Sequence, residues 1–488
     1  MKYFLDPFGC VKNQVDAENM MAHLNNAGWE STADNEQADL IIVNSCGFIE
    51  SAKQESIDAV IEWRRLFANK KILLAGCLSQ RYEKELKESL TEADGFLGVG
   101  NPSQIVEKAN NFFQEEFSQA AFAANSEKNL QFEKPIFPSA PLRLCESKIK
   151  KLSQGERPLL SLPGSAYVKI SEGCNNNCSY CAIPLIRGKL VCRIIDEILD
   201  ECRTLISRGI KELCIIGQDI GAYGNEEKRL GLTELLEAIS TLEGDFWVRL
   251  LYIHPNHFPL EILDLMEKDP RFLPYFDIPF QHASEKILTS MNRIHSSSLF
   301  PLRASVPPCD NFAKEYLELL KTIRARLPDA VIRSTFMLGF PGETEEDFNE
   351  LLDFQQKANL DWLGCFTYSR EEGTASYSMK GRVPVKTAEK RKQLIEEKQI
   401  SITEKNMDRF IGQIMDVLIE EQLDARDDND EESETIWLGR LFCQAPDIDG
   451  AAVIVSDETG KKLQTGTFAK CKVIARRGFD LEVRVLSE

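Results

Sequence analysis

The segment Tyr167-Val-Lys-Ile-Ser-Glu-Gly-Cys174-Asn-Asn-Asn-Cys178-Ser-Tyr-Cys181 decides the reading of this chain. A strand-like run ends in a Gly/Asn loop that carries three thiols within eight residues. Thiolates at this spacing can share one iron-sulfur cube and leave its fourth iron open. An open iron can take a small chelating ligand, and the cube is a one-electron donor whose potential the protein tunes. A tetrahedral zinc would lack its fourth ligand, since no further Cys or His lies nearby. Cysteines buried merely as small hydrophobes are the remaining alternative, and they seldom cluster so tightly in such a loop.

Outward from this loop the chain alternates strand and helix. Strands are expected at Tyr167 to Ser171, Leu213 to Gly217, Trp247 to Tyr252, Phe276 to Pro279, Ile332 to Gly339 and Gly364 to Ser369. Amphipathic helices such as Asp196 to Ser207 and Glu315 to Arg326 fall between them. Six β/α units suit a partial barrel with its chemistry at the strand C-terminal ends. Upstream, the apolar runs Ala38 to Asn44 and Lys70 to Gly76 flank the helical stretch Ser51 to Ala68, the pattern of a parallel α/β sheet. Downstream, a charged helix from Thr387 leads to short alternating runs such as Ala452-Val-Ile-Val, which read as a small β-barrel. The expected organisation is an amino-terminal α/β domain over 1–110, a linker over 111–163, the partial barrel over 164–405 and the β-barrel over 410–488.

Composition narrows the function classes. Of 488 residues, 58 are basic and 77 acidic, a formal charge of −19 that disfavours nucleic acid as the main partner. Fourteen cysteines without a secretory leader point to a reduced compartment and a cytoplasmic protein. No apolar run approaches the roughly 20 residues needed to cross a bilayer.

The cysteine loop with Tyr180, the strand before it and the β/α units after it resemble the radical S-adenosylmethionine superfamily. That resemblance implies S-adenosylmethionine chelated to the open iron and cleaved by one electron to give a hydrogen-abstracting radical. It also points to two cofactor-binding strand ends. Ile215-Ile-Gly-Gln-Asp219 contributes Gln218 and Asp219, and Met337-Leu-Gly-Phe-Pro-Gly-Glu343 contributes Gly339 and Gly342. Glycines at strand ends are ordinary turn formers, so neither segment carries the assignment alone. His282, at a fourth strand end, reads equally well as a packed barrel histidine and receives no proton-transfer role.

Cys10, Cys46 and Cys77 each end or follow an expected strand of the amino-terminal domain. Spacing alone leaves scattered buried cysteines and a shared cluster equally open, and the equivalent strand-end positions favour the cluster. Gly9-Cys-Val-Lys-Asn-Gln-Val-Asp-Ala-Glu18, Asn44-Ser-Cys-Gly-Phe48, Ala75-Gly-Cys77 and Ser171-Glu-Gly-Cys174 resemble the signatures of the methylthiotransferases, and the tail resembles their TRAM domain. The resemblance spans nearly the whole chain. It implies two [4Fe-4S] clusters, one on Cys174, Cys178 and Cys181 for the radical and one on Cys10, Cys46 and Cys77 for the sulfur. The eight remaining cysteines, Cys145, Cys192, Cys202, Cys214, Cys309, Cys365, Cys443 and Cys471, read as core or surface residues.

Two branches of that family compete for the substrate, one modifying a tRNA adenosine and the other an aspartate β-carbon of ribosomal protein S-twelve. From Ile411 to Glu488 there are 17 acidic against 9 basic residues, a charge that opposes phosphate contacts and attracts a basic protein. A merely solvated acidic surface would look the same by charge. Tyr368-Ser-Arg-Glu-Glu-Gly-Thr374, Gly439 to Gly450 and Val11-Lys-Asn-Gln-Val-Asp16 resemble the protein-modifying branch and decide for it. The implied partners are ribosomal protein S-twelve, free or assembled in the small subunit, and an electron donor such as flavodoxin or ferredoxin; no membrane is expected and tRNA is the weaker substrate. A non-catalytic iron-sulfur RNA-binding or assembly factor is the reading from another class. The stretch His295 to Asn311 resembles an insertion, and Asp427 to Glu434 an acidic loop.

Overall fold

The structure, a computed structural model, describes residues 1–113, 156–224, 231–293, 312–424, 435–455 and 463–486. The expected insertion, the acidic loop, Cys145, Cys309 and most of the expected linker lie outside these residues. The chain divides into two compact units, Met1–Leu159 and Leu160–Glu488.

The first unit is a parallel sheet of β1 (Lys2–Pro7), β2 (Glu30–Ser31), β3 (Leu40–Ser45), β4 (Lys71–Gly76) and β5 (Gly95–Leu97), in the order β2-β1-β3-β4-β5. Helices α1 (Val11–Asn26), α2 (Glu50–Leu66), α3 (Cys77–Ser89) and α4 (Gln104–Phe112) cover it. The run Leu-Ile-Ile-Val-Asn-Ser of β3 is buried at every position, as a central strand sandwiched by helices requires. Because side chains alternate along a strand, Leu40 and Ile42 join a core with Met20, Leu24 and Ile105 of α1 and α4. Ile41 and Val43 point into the opposite core with Val60, Leu78 and Leu86 of α2 and α3. Arg157, at the described end of the expected linker, is fully buried with Nε 2.8 Å from Glu18 Oε2. A buried guanidinium is tolerable only when paired, so this short stretch packs as part of the first unit.

The second unit begins with β6 (Ser165–Lys169), followed by the short hairpin β7 (Ser171–Glu172) and β8 (Val191–Cys192) around helix α5 (Ile183–Arg187). The main sheet continues through β9 (Glu212–Ile216), β10 (Trp247–Leu250), β11 (Phe272–Asp277), β12 (Val331–Leu338) and β13 (Trp362–Thr367). Intervening helices are α6 (Ile195–Ser207), α7 (Leu232–Ser240), α8 (Ile262–Lys268), α9 (Glu285–Ser290), α10 (Phe312–Arg326) and α11 (Glu345–Ala358). Every strand pairing is parallel and the spatial order follows the sequence from β6 to β13, which is a β/α barrel stopped at six strands. The ends of α11 show why the helix stops and starts where it does: Thr344 and Asp347 form a capping box, and Asn359 adopts the left-handed conformation.

Helix α12 (Val385–Met407) leads to the tail, β14 (Ile414–Asp424), β15 (Thr435–Arg440), β16 (Ala452–Ile454), β17 (Phe468–Arg477) and β18 (Asp480–Val485). They close as β14-β15-β16-β18-β17, the small barrel expected from the alternating pattern. Its segment Leu441 to Gly450 packs against the partial barrel. Phe442 O accepts from Arg249 Nη1 at 2.8 Å, Cys443 O from Trp362 Nε1 at 2.8 Å, and Asp449 Oδ2 from Tyr275 OH at 2.6 Å. Glu212, at the start of β9, binds Arg249 of β10 and Arg440 of β15 in a fully buried triad.

Candidate active site at the cysteine loop

The loop between β7 and α5 is fixed at nearly every residue. Gly173 adopts φ +70°, and a Cβ there would lie 2.2 Å from Lys189 O, so only glycine fits. Cys174 N donates to Gly188 O at 3.2 Å, and Asn175 Oδ1 accepts from Leu190 N at 3.1 Å. Asn176 donates its backbone N–H toward Cys174 Sγ at 3.4 Å and its amide to Asp219 Oδ2 at 2.7 Å. Ser179 N donates to Met291 O at 2.9 Å, and Ser376 N to Ser179 O at 2.8 Å. At the base, Glu172 joins Lys169 at 2.6 Å and Arg187 at 2.7 Å. Burial alone would raise the Glu172 pKa, but these two cations bring it down to about 2.

The three cysteines are half-buried. Burial pushes Cys174 up to about 11 and Cys181 up to about 12, and the neighbouring loop cysteines add to the rise. Cys178 and Cys181 pack beside Tyr180, Ile287, Met291, Met337 and Phe340, an apolar wall from the cysteine loop, α9 and the end of β12. Among the described residues no three His, Cys, Asp or Glu side chains converge as ligands of one metal ion would. A cube does not ask for that, because each thiolate binds its own iron. The donor set fits such a cube: three loop-held thiols, an N–H directed at one sulfur and a guanidinium beside another.

The expected cofactor residues surround this loop unevenly. Gln218 is half-buried at the end of β9. Asp219 is buried with both oxygens engaged, Oδ1 by His254 N at 3.1 Å and Oδ2 by Asn176 Nδ2 at 2.7 Å and His257 Nδ1 at 2.6 Å. A cavity of about 560 Å³ beside it is lined by Asn175, Asn176, Tyr223, Asn256 and His257. Gly339 has φ +79°, and a Cβ there would lie 2.5 Å from Ala388 Cβ. Its N–H donates to Glu343 Oε2 at 2.6 Å. Gly342, at φ +88°, borders open space. His282 is fully buried and neutral, its pKa lowered by burial to about 3, with Nδ1 accepting from Ser284 N at 3.0 Å.

Sequence reasoning missed Asn176, Asn13 and Arg293. Asn13 organises the ends of β1, β3 and β4, which are adjacent in the sheet. Its Nδ2 donates to Ser45 O at 2.8 Å, its backbone O accepts from Asn44 Nδ2 at 2.8 Å, and its Oδ1 accepts from Cys77 Sγ at 3.1 Å. A Cβ on Gly9 would lie 3.4 Å from Cys46 Cβ, and one on Gly47 would lie 2.6 Å from Cys77 O. The loops bearing Cys10, Cys46 and Cys77 are thereby brought together at one sheet edge, with Cys10 exposed, Cys46 half-buried and Cys77 buried. Of the cysteines read as core or surface residues, Cys192, Cys202, Cys214, Cys365, Cys443 and Cys471 are buried.

Residues 2–98 match the model of Uncharacterized protein family UPF0004, residues 168–354 that of the Radical SAM superfamily, and residues 411–486 that of the TRAM domain. Over 98% of its length the chain is 44% identical to the ribosomal protein uS12 methylthiotransferase RimO of Treponema denticola, covering 99% of that protein. The protein of the same name from Syntrophomonas wolfei is 40% identical, with 97% of each chain covered. That of Aquifex aeolicus is 36% identical over 99% of this chain and 97% of its own.

Proposed function

The chain belongs to the RimO family of radical S-adenosylmethionine methylthiotransferases, and on that premise we propose that it places a methylthio group on an aspartate β-carbon of ribosomal protein uS12. The observation that carries this reading is the rigid three-thiol loop at the first strand end of a six-stranded parallel partial barrel, within full-length similarity to that family. Cys174, Cys178 and Cys181 would hold a [4Fe-4S] cluster, which would supply the one-electron reduction of S-adenosylmethionine.

The chain's own residues do the rest. Asp219 and Asn176 hold the loop so that the thiols keep one spacing. The wall of Tyr180, Met337 and Phe340 keeps water from the reacting region, where a radical must meet only its intended hydrogen. Gln218, half-buried, and Gly342, beside open space, are the positions we assign to direct cofactor contact. Asp219, whose carboxylate already has protein partners, and Gly339, walled in by Ala388, shape the site around them.

Cys10, Cys46 and Cys77 would hold a second [4Fe-4S] cluster in this proposal, which would supply the sulfur for insertion. Adjacent strand ends tied by Asn13 support it. Electrons come from a low-potential one-electron carrier of the flavodoxin or ferredoxin class, and the reaction takes place in the cytoplasm with the ribosomal protein. Among the described residues no helix is long and apolar enough to cross a membrane. The acidic tail, with 17 acidic against 9 basic residues, favours a basic protein over tRNA.

The test is anaerobic turnover of the reconstituted protein with dithionite, S-adenosylmethionine and uS12 or tRNA. The expected result is 5′-deoxyadenosine together with a methylthio mass increment on a uS12 aspartate. Increment on tRNA alone, or no cofactor cleavage, would refute the reading.

A further inference from the structure

Six arginines among the described residues are buried, and five of them have carboxylate partners. Arg157 pairs with Glu18, Arg187 with Glu172, Arg249 with Glu212, Arg391 with Glu343, and Arg440 with Glu212 and Glu420. Arg293 is the exception. It is 3% exposed, just beyond α9, and no carboxylate among the described residues lies within ion-pair distance of it. Its Nη2 donates to Pro279 O at 2.6 Å and its Nη1 to Tyr180 OH at 3.1 Å. The same Nη1 lies 3.9 Å from Cys178 Sγ, and Nε is buried without a hydrogen-bond partner.

An unpaired buried cation is costly, so this guanidinium requires an anion that the described carboxylates do not provide. Among the described residues the nearest anionic candidate is the thiolate that Cys178 would become on binding iron. We propose that Arg293 is a positioning residue that tunes the redox potential of the centre held by Cys174, Cys178 and Cys181, favouring its reduced state. The inference rests on the reading above that these cysteines hold a cluster. When one electron from an external one-electron donor enters that centre, its net charge falls by one unit and no bond is made or broken. A fixed cation at the Cys178 sulfur stabilises the more negative state, and hydrogen bonding to cluster sulfurs acts in the same direction.

The test uses the full-length chain carrying Cys10→Ala, Cys46→Ala and Cys77→Ala, so that one centre is read. Its midpoint potential is followed by EPR in the parent, Arg293→Met and Arg293→Lys. The Met variant should lose at least tenfold in the reduction equilibrium, a midpoint about 59 mV lower for one electron, while Lys, which keeps the charge, falls less. An unmoved midpoint in Met, or an equal fall in Lys, overturns the inference while leaving the cluster assignment intact. A parent that binds no cluster overturns both. Should Arg293→Met fail to load iron, pulsed EPR on the reduced parent labelled with 15N-arginine decides: a guanidinium nitrogen coupling supports the proposal and its absence overturns it.

Discussion

Asp219 Oδ2 accepts a 2.7 Å hydrogen bond from Asn176 Nδ2, joining the end of β9 to the middle of the cysteine loop across 43 positions of sequence. The bond makes the loop's shape depend on a strand that contributes no thiol. Residues that orient metal ligands typically matter about 10–100-fold in affinity or activity. Asp219→Ala should therefore lower iron retention under a chelator by at least about tenfold at the Cys174, Cys178 and Cys181 site. Retention equal to the parent would show that the loop holds its shape unaided.

The same carboxylate makes the site's stability depend on pH. Burial opposes charge on both partners, yet Asp219 is held well below the usual carboxylate range, chiefly by His257, and His257 is raised by Asp219. The imidazolium's contribution is complete below the unfolded value of about 6.5 and fades as pH rises through the raised folded value. The carboxylate's contribution is complete above about 3.9 and fades as pH falls through the depressed folded value. The stability gap between the protein and His257→Gln, read by chemical denaturation, should be widest between about pH 4 and 6.5. A gap that widens in alkali would contradict this.

Gly173→Ala tests the backbone. Its φ of +70° and the 2.2 Å approach to Lys189 O leave no room for a methyl group. Strain of roughly 1–3 kcal/mol from the conformation alone, plus the clash, should displace the loop. Iron at this site should fall sharply while far-ultraviolet circular dichroism stays near that of the parent. Normal iron loading would mean that the loop tolerates a different path.

Glu212 carries the junction between partial barrel and tail. Burial would raise its pKa, but Arg440 and Arg249 bring it down to about 2. Glu212→Gln leaves two buried guanidiniums short of their shared anion, at a cost of about 3–5 kcal/mol. Amides in the segment Leu441 to Gly450 should lose hydrogen-exchange protection first. Unchanged protection there would place the docking energy elsewhere.

Much of this was legible in the sequence, for identifiable reasons. The six barrel strands and the tail followed from apolar periodicity, and the cysteine loop from spacing within eight residues. The sequence pattern places the fourth barrel strand at Phe276 to Pro279. The strand in fact runs from Phe272, with Pro274 at a register irregularity against β10, where its missing N–H does no harm. Arg293 was not legible because its partners Tyr180 and Cys178 lie 113 and 115 positions away. Asn13, one asparagine among many in a helical stretch, gave no sign that it ties three strand ends together.

The most direct test of the central claim, that two separate cysteine trios each hold a cube, is iron and sulfide counting with Mössbauer spectroscopy after anaerobic reconstitution. The account predicts about eight irons per chain, falling to about four when either Cys10, Cys46 and Cys77 or Cys174, Cys178 and Cys181 are replaced by alanine. About four irons in the parent, unchanged by replacing Cys10, Cys46 and Cys77, would contradict it.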